Sequence, residues 1–224
     1  MNQPCGCVNG LNDNGVIHRV STCANHKKMQ TGLDVGLDYY HAIWVFDDTG
    51  CPTLSKRRNE FVRFFSEPIE TDDHSECVLE IGCGVSSYVP LFMRRGWRYF
   101  GLEPAPWPAR ATREMFGVDV YEQKLEDLVD WPQFDAIVMA HCLEHLEDPV
   151  VAMRKVHDEL CKNLATVYVI VPHGPDDFMN PDHKWFFDEE SLRKTMLDAG
   201  FTIKSLSLQD GNERERYLYC EATK

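Results

Sequence analysis

Residues 78–84 read Val-Leu-Glu-Ile-Gly-Cys-Gly, a short apolar strand that runs directly into a glycine turn. Glycine lets the backbone turn tightly and lets a ligand come close to the main chain. The helix that we expect behind the turn presents unpaired N–H groups at its N-terminus. By itself, this pattern fits a ligand-binding turn and a simple strand-to-helix connection equally well.

Around this turn the chain alternates apolar strands with helices. Strands are predicted at 78–81, 99–102, 118–121, 135–140, 166–171, 201–208 and 216–220. Helices are predicted at 54–65, 87–95, 108–116, 150–160 and 189–199. Strands separated by helices of this length indicate βαβ units. The sequence therefore predicts an α/β fold with a mainly parallel seven-stranded sheet and helices on both faces.

An acidic residue, Glu103, follows the second predicted strand. A carboxylate at this place can accept the hydrogens of both hydroxyl groups of a ribose. The alternative is an ordinary solvated strand end. Ser87 stands where the dinucleotide-binding glycine pattern has its third glycine. This departure argues against a pyrophosphate cofactor and a nicotinamide dehydrogenase, and leaves room for a nucleoside without phosphate.

Three stretches together carry a resemblance: residues 80–84, Glu103, and residues 134–138 running into 141–149. They resemble the class I methyltransferases that depend on S-adenosylmethionine (SAM). The chain is most similar to the small-molecule group that includes the ubiquinone- and menaquinone-biosynthesis enzymes. The resemblance covers about residues 55–222. It implies a Rossmann-like domain at 36–224 that transfers the methyl group of SAM to oxygen or nitrogen of an unidentified small-molecule acceptor.

The resemblance also implies which residues bind SAM. Carried over by position, the cofactor-binding residues are Glu80, Gly82, Cys83 and Gly84 at the glycine turn, Glu103 and Pro104 at the ribose, Leu125 and Glu126 at the adenine, and Ala140 and His141 at the methyl-transfer site. One position departs from the family pattern, because Lys124 stands where many members have an acidic residue beside the adenine.

His141, Glu144 and His145 follow the fourth predicted strand. Three interpretations stay open: a structural or SAM-proximal role, acid–base catalysis or substrate contact, and binding of a divalent metal. The spacing also matches an inverted zinc-protease motif. That motif belongs in a long helix, whereas Pro149 allows only a short turn here.

Three histidines are candidate catalytic bases: His141, His173 and His183. Imidazole titrates in the range that suits proton removal near neutral pH. We expect the acceptor to lie among residues 37–44, 171–175 and 180–188, beyond the carboxyl ends of the strands. The alternative for His173 and His183 is a loop histidine that faces water or caps a neighbour.

Residues 1–35 form a predicted loop-rich module. Cys5, Cys7, Cys23 and His26 make two close pairs of ligands that can enclose a structural Zn²⁺ ion, with His18 as a spare ligand. Such a metal would supply the folding energy of a module with little core. The alternative is a tail in which the cysteines are incidental.

Charge and hydropathy restrict the class of protein. With 23 basic and 36 acidic residues, the net charge is −13, which disfavours nucleic acid as a substrate. No apolar run reaches the ~18 residues of a membrane span, and the N-terminus lacks a signal pattern, so we expect a cytoplasmic protein. Two rival functions remain: a non-catalytic scaffold that recruits a partner through the zinc module, and an enzyme using a SAM derivative, for example in aminopropyl transfer.

Overall fold

The computed structural model describes residues 76–86, 88–93, 95–173, 183–212 and 215–224. Within them the strands are β1 (Cys77–Ile81), β2 (Arg98–Leu102), β3 (Asp119–Tyr121), β4 (Phe134–Ala140), β5 (Cys161–Pro172), β6 (Thr202–Asn212) and β7 (Glu215–Thr223). The α-helices are α1 (Val89–Met93), α2 (Pro106–Phe116), α3 (Pro149–Lys155) and α4 (Glu189–Asp198). The predicted module at 1–35 and the predicted helix at 54–65 lie outside the described residues.

The seven strands form one sheet in the order β3-β2-β1-β4-β5-β7-β6. Neighbours from β3 through β5 are parallel, whereas β7 runs antiparallel to both β5 and β6. The predicted α/β fold with a mainly parallel seven-stranded sheet is confirmed. The chain builds outward from β1 to β3 and then returns to place β4 on the other side of β1. Ligands of open α/β sheets bind at such a reversal, beyond the carboxyl ends of the strands.

Both faces of the sheet are buried. Side chains alternate along each strand, so Val78 joins a core with Phe92 of α1. Leu79 joins the opposite core with Met153 of α3 and Met196 of α4. Burial on both faces explains why β4 reads as a continuous apolar run from Ala136 to Ala140.

Several predicted boundaries are shifted. Helix α2 begins at Pro106 rather than at Pro108, because proline suits the first turn, where no backbone N–H is needed. The predicted helix 150–160 is α3 followed by a π-helical turn at Val156–Leu160. Strand β5 begins at Cys161, which pairs with Phe134 before the register shifts. No helix in the described part of the chain is long and apolar enough to cross a membrane.

Candidate functional site

The glycine turn follows β1 and lies against the end of β4. Gly82 adopts a φ of 70°, and its backbone N–H donates to the carbonyl of Leu102 at 2.8 Å. A Cβ atom at Gly82 would lie 2.6 Å from the Sγ atom of Cys142, which follows β4. Gly84 has a φ of 54°, and a Cβ atom there would meet no protein atom within 4 Å. Glycine is thus needed at residue 82 for packing, and at residue 84 it leaves open space.

Glu80 is buried beneath this turn. Glu80 is only 3% exposed. Its Oε2 atom accepts hydrogen bonds from the hydroxyls of Ser86 and Tyr99, both at 2.6 Å. Burial, followed by the negative charge of Glu80, raises the pKa of Tyr99 well above its usual value, so that this hydroxyl keeps its proton and donates. The Glu80 side chain therefore links the turn to β2. It does not line the cleft at the carboxyl ends of the strands.

Cys83 points its side chain into the core. It packs with Ala109 and Val120, and a Cβ atom at Gly101 would lie 2.9 Å from its sulfur. Burial, with the charges of Glu80 and Glu103, raises the pKa of the Cys83 thiol well above its usual value. The Cys83 thiol therefore remains protonated and packs in the core, while the backbone N–H of Cys83 donates to the carbonyl of Leu102 at 3.2 Å.

Glu103 ends β2 beside the turn. Its Oε2 atom accepts from the backbone N–H of Gly84 and its Oε1 atom from that of Ala105, both at 2.9 Å. Burial raises the pKa of this carboxyl, and the two hydrogen bonds partly offset the rise. An ionised carboxylate has about four lone-pair sites, so two remain for further donors. Those two sites suit the hydroxyl groups of a ribose.

A cleft of about 630 Å³ opens at the carboxyl ends of the strands. Its lining comes from the ends of β1, β2 and β4, from the connection after β3 and from the segment before α4: Ile81, Gly82, Leu102, Glu103, Pro104, Gln123, Lys124, Leu125, Glu126, Asp127, His141, Cys142, His145, Leu146, Glu147 and Lys184. Six of the ten predicted cofactor-binding residues line this cleft: Gly82, Glu103, Pro104, Leu125, Glu126 and His141. The other four do not line it: Glu80, Cys83, Gly84 and Ala140.

His141 occupies the end of β4 in an uncommon backbone conformation. Its φ is 53°, its N–H donates to the carbonyl of Ile170 at 2.8 Å, and its ring packs edge-on against Tyr217 at 5.0 Å between centroids. A positive φ in a non-glycine residue stores strain and often accompanies function. The strand pairing thus holds His141 at the cleft wall.

Three imidazoles surround the buried carboxylate of Glu144. The Oε1 atom lies 3.9 Å from Nδ1 of His141, 3.8 Å from Nε2 of His145 and 4.0 Å from Nε2 of His183. We call these four residues the Glu144 cluster. Glu144 and His145 belong to a short 3₁₀ turn, Leu143–His145, as the position of Pro149 predicted. His183 comes from the segment before α4.

His173, the third candidate base, lies apart from the Glu144 cluster. Its backbone N–H donates to the carbonyl of Arg216 at 2.8 Å, and its Nδ1 atom lies 2.8 Å from the carbonyl of Phe187. Because a carbonyl only accepts, Nδ1 carries the proton and Nε2 is the acceptor in the neutral ring. His173 therefore fastens the segment before α4 to the end of β5.

Several lining residues were absent from the predicted site. The connection after β3 contributes Gln123, Lys124 and Asp127, and the segment before α4 contributes Lys184, whose Nζ atom lies 2.5 Å from Oε1 of Glu147. Lys124 was marked only as a departure from the family pattern beside the adenine, and Lys184 only as part of the 180–188 segment expected beside the acceptor. No motif marks Gln123 and Asp127, for which placement beyond the carboxyl ends of the strands was the available signal. The predicted zinc ligands Cys5, Cys7, Cys23 and His26 lie outside the described residues.

The fold and the cleft define a Rossmann-like α/β domain of the methyltransferase type. A family model described as a methyltransferase domain matches residues 54–206. The chain belongs to this methyltransferase domain family and is a SAM-dependent methyltransferase. A comparison with curated proteins gives no match.

Solved structures with the same fold have low sequence identity. An S-adenosylmethionine-dependent methyltransferase from Mesorhizobium loti aligns with a TM-score of 0.60 at 15% identity, over 74% of this chain and 96% of that one. The 1,6-didemethyltoxoflavin-N1-methyltransferase of Burkholderia thailandensis, solved with 1,6-didemethyltoxoflavin and S-adenosylhomocysteine, aligns with a TM-score of 0.55 at 17% identity, over 76% of this chain and 88% of that one. These likenesses support the fold alone.

Proposed function

We propose that the cleft binds SAM and that the chain transfers its methyl group to a small-molecule acceptor at oxygen or nitrogen. The observation that carries the proposal is the convergence of the glycine turn, the Glu103 carboxylate and the residue 123–127 connection on one cleft at the reversal of strand order. The residues present fit SAM: Glu103 retains lone-pair capacity for ribose hydroxyls, and Gly84 leaves open space beside it.

In this proposal the residues of the chain bind and orient SAM and the acceptor, and most of them take no direct part in the reaction. Bound SAM would supply an electrophilic sulfonium methyl group, so the acceptor needs alignment and exclusion of water. Glu103 would accept hydrogen bonds from the ribose hydroxyls, Leu125 and Glu126 would flank the adenine, and His141, which follows Ala140 at the end of β4, would border the methyl-transfer site. Of the three predicted bases, His141 lines the cleft and is the candidate for removing a proton from an alcohol or ammonium acceptor, whereas His173 and His183 are not among the lining residues.

The test is a calorimetric titration of the full chain with SAM and, in parallel, S-adenosylhomocysteine. We expect saturable binding of both, and loss of binding in Glu103→Ala. Gly84→Ala should bind more weakly, because its added methyl group meets no protein atom within 4 Å and would instead occupy space that we assign to the ligand. Glu114→Ala removes an exposed carboxylate of α2 that does not line the cleft, and should bind SAM like the wild type. Full-strength binding by folded Glu103→Ala would overturn the site assignment.

The chemical class of the methyl acceptor is part of the same proposal. The resemblance to quinone-biosynthesis enzymes favours an aromatic small-molecule acceptor, which a screen of phenols and amines with product mass would test. A mass gain of one methyl group supports methyl transfer, whereas an aminopropyl gain supports the rival chemistry.

The proposed structural Zn²⁺ at Cys5, Cys7, Cys23 and His26 is tested by metal analysis of Cys5→Ser/Cys7→Ser, which should lose one Zn²⁺ per chain.

A further inference from the structure

The Glu144 cluster gathers nitrogen and oxygen donors from distant parts of the chain. Glu144 and His145 follow β4, whereas His183 precedes α4. Their ligand atoms all lie within 4.8 Å of one another, and the His145 and His183 rings pack edge-on at 4.7 Å between centroids. Donors that converge in this way surround a volume suited to one small cation.

We propose that Glu144, His145 and His183 bind a divalent transition-metal ion, with His141 beside it. Two imidazoles and one carboxylate suit Zn²⁺, Co²⁺ or Ni²⁺, whereas Mg²⁺ prefers oxygen donors. A metal about 2.1 Å from each ligand holds two tetrahedral ligand atoms roughly 3.4 Å apart. The 3.8 and 4.0 Å separations from Oε1 of Glu144 to His145 and His183 therefore need to close by about 0.5 Å on binding, and no pair of ligand atoms, all within 4.8 Å of one another, needs to close by more than about 1.4 Å.

Burial gives the cation an electrostatic role. The Glu144 side chain is 1% exposed, and that of His183 is 10% exposed. A carboxylate taken out of water is costly unless charge is paired with it. A divalent ion between the side chains compensates the carboxylate and uses the imidazoles in their neutral, ligating form.

The backbone brings these ligands together through contacts that do not involve their side chains. The carbonyl of Glu144 accepts from the N–H groups of Lys184 and Trp185 at 2.8 and 3.1 Å. The indole N–H of Trp185 donates to the carbonyl of Leu146 at 2.9 Å. These bonds dock the segment carrying His183 on the turn carrying Glu144 and His145. A substitution of the Glu144 side chain leaves all of them in place.

The proposed ion would border the cleft, because His141 and His145 line it. Three protein ligands leave a fourth tetrahedral position for water or for an oxygen of a bound small molecule, as in catalytic rather than structural sites. Metal binding at the cluster is independent of the SAM assignment. It can therefore be measured without SAM, and failure of one proposal leaves the other standing.

The experiment is a titration of untagged, chelator-treated full chain with Co²⁺, followed by its displacement with Zn²⁺. The background carries Cys5→Ser and Cys7→Ser, so that the predicted N-terminal module does not compete. We expect one Co²⁺ per chain, with a visible d–d spectrum of tetrahedral type and without the near-ultraviolet thiolate charge-transfer band that cysteine ligands give. SAM titration of the metal-free protein, run in parallel, reports on the cofactor site separately.

Single substitutions then locate the ion. Glu144→Gln and His183→Ala should each weaken Co²⁺ binding by at least the ~10–100-fold that loss of a supporting outer-shell residue costs. His157→Gln is the matched control: it removes an imidazole whose Nδ1 atom lies 2.6 Å from Asp158, outside the cluster, and should leave the affinity unchanged. Unchanged Co²⁺ affinity in folded Glu144→Gln and His183→Ala, or no binding by the folded background protein, would overturn the proposal.

Discussion

Tyr99 and Ser86 donate hydrogen bonds to a carboxylate that is shielded from water, which makes the Glu80 network a strong constraint on the glycine turn. Hydrogen bonds to charged groups stabilise more than neutral ones, and a buried acceptor that loses its donor costs its desolvation. Because burial raises the pKa of Tyr99, the hydroxyl remains a donor at neutral pH. The network therefore ties β2 to the residues that follow β1.

We expect Tyr99→Phe to lower the free energy of unfolding by about 1–3 kcal/mol, because it removes one donor and leaves the ring packing intact. Urea unfolding followed by circular dichroism measures this change. Tyr121→Phe is the control, since Tyr121 is 42% exposed and its hydroxyl can bond to water. A midpoint for Tyr99→Phe equal to that of the control would mean that the network contributes nothing to stability.

The two glycines of the turn should respond differently to alanine. Gly82→Ala combines a positive φ with a Cβ atom 2.6 Å from the Cys142 sulfur and should lower the free energy of unfolding by several kcal/mol. Gly84→Ala meets only the conformational cost, about 1 kcal/mol. Thermal unfolding of the two purified variants measures which of them is less stable. Equal melting temperatures would contradict the close approach of the turn to the end of β4.

At the scale of the element, helix α4 shows how local sequence sets a boundary that the site depends on. Asp188 accepts from the N–H of Ser191 at 2.8 Å, and the Ser191 hydroxyl accepts from the N–H of Asp188 at 2.9 Å. This capping box satisfies backbone donors at the helix start. The helix begins directly after the segment that carries His183, so the cap also fixes where that segment ends.

Asp188→Ala should lower the free energy of unfolding by about 1 kcal/mol at neutral pH. Hydrogen bonds from Ser191 hold the pKa of Asp188 below its usual value, so the cap stabilises above about pH 4, where the unfolded carboxyl is ionised, and loses its effect as the pH falls through the lowered pKa. Urea titrations at several pH values test this. Glu190→Ala, an exposed first-turn substitution, is the control; a pH-independent difference between Asp188→Ala and wild type would contradict the cap.

The elements differ in how far sequence alone predicts them. The predicted strand 135–140 lies within one residue of β4, because burial on both faces leaves an unbroken apolar run from Ala136 to Ala140. The predicted helix 150–160 is helical throughout, but its second half is a π-helical turn, which has no distinct apolar period that would reveal it. Glu103 could be placed from its spacing to the glycine turn. The partnership of His183 with Glu144 could not, because it arises from backbone hydrogen bonds that dock the segment before α4 on the turn after β4.

At the scale of the whole molecule, the cleft joins parts of the chain that are otherwise separate. Its lining comes from the ends of three strands, the connection after β3 and the segment before α4. The hydrogen bonds of Gly82 to Leu102 and of Lys184 to Glu144 connect these parts. A ligand held in such a cleft contacts only the folded state, and its binding free energy is therefore added to the stability of the whole domain.

We accordingly expect SAM to raise the free energy of unfolding by about 1.4 kcal/mol for each tenfold increase in its concentration above the dissociation constant. Urea unfolding at a series of SAM concentrations measures this slope, and S-adenosylhomocysteine should give the same one. Glu103→Ala should unfold at a midpoint that does not change with SAM, whereas Glu114→Ala should follow the wild type. A wild-type midpoint independent of SAM would contradict binding in the cleft, whereas a full slope in Glu103→Ala would place the ribose contact on another residue.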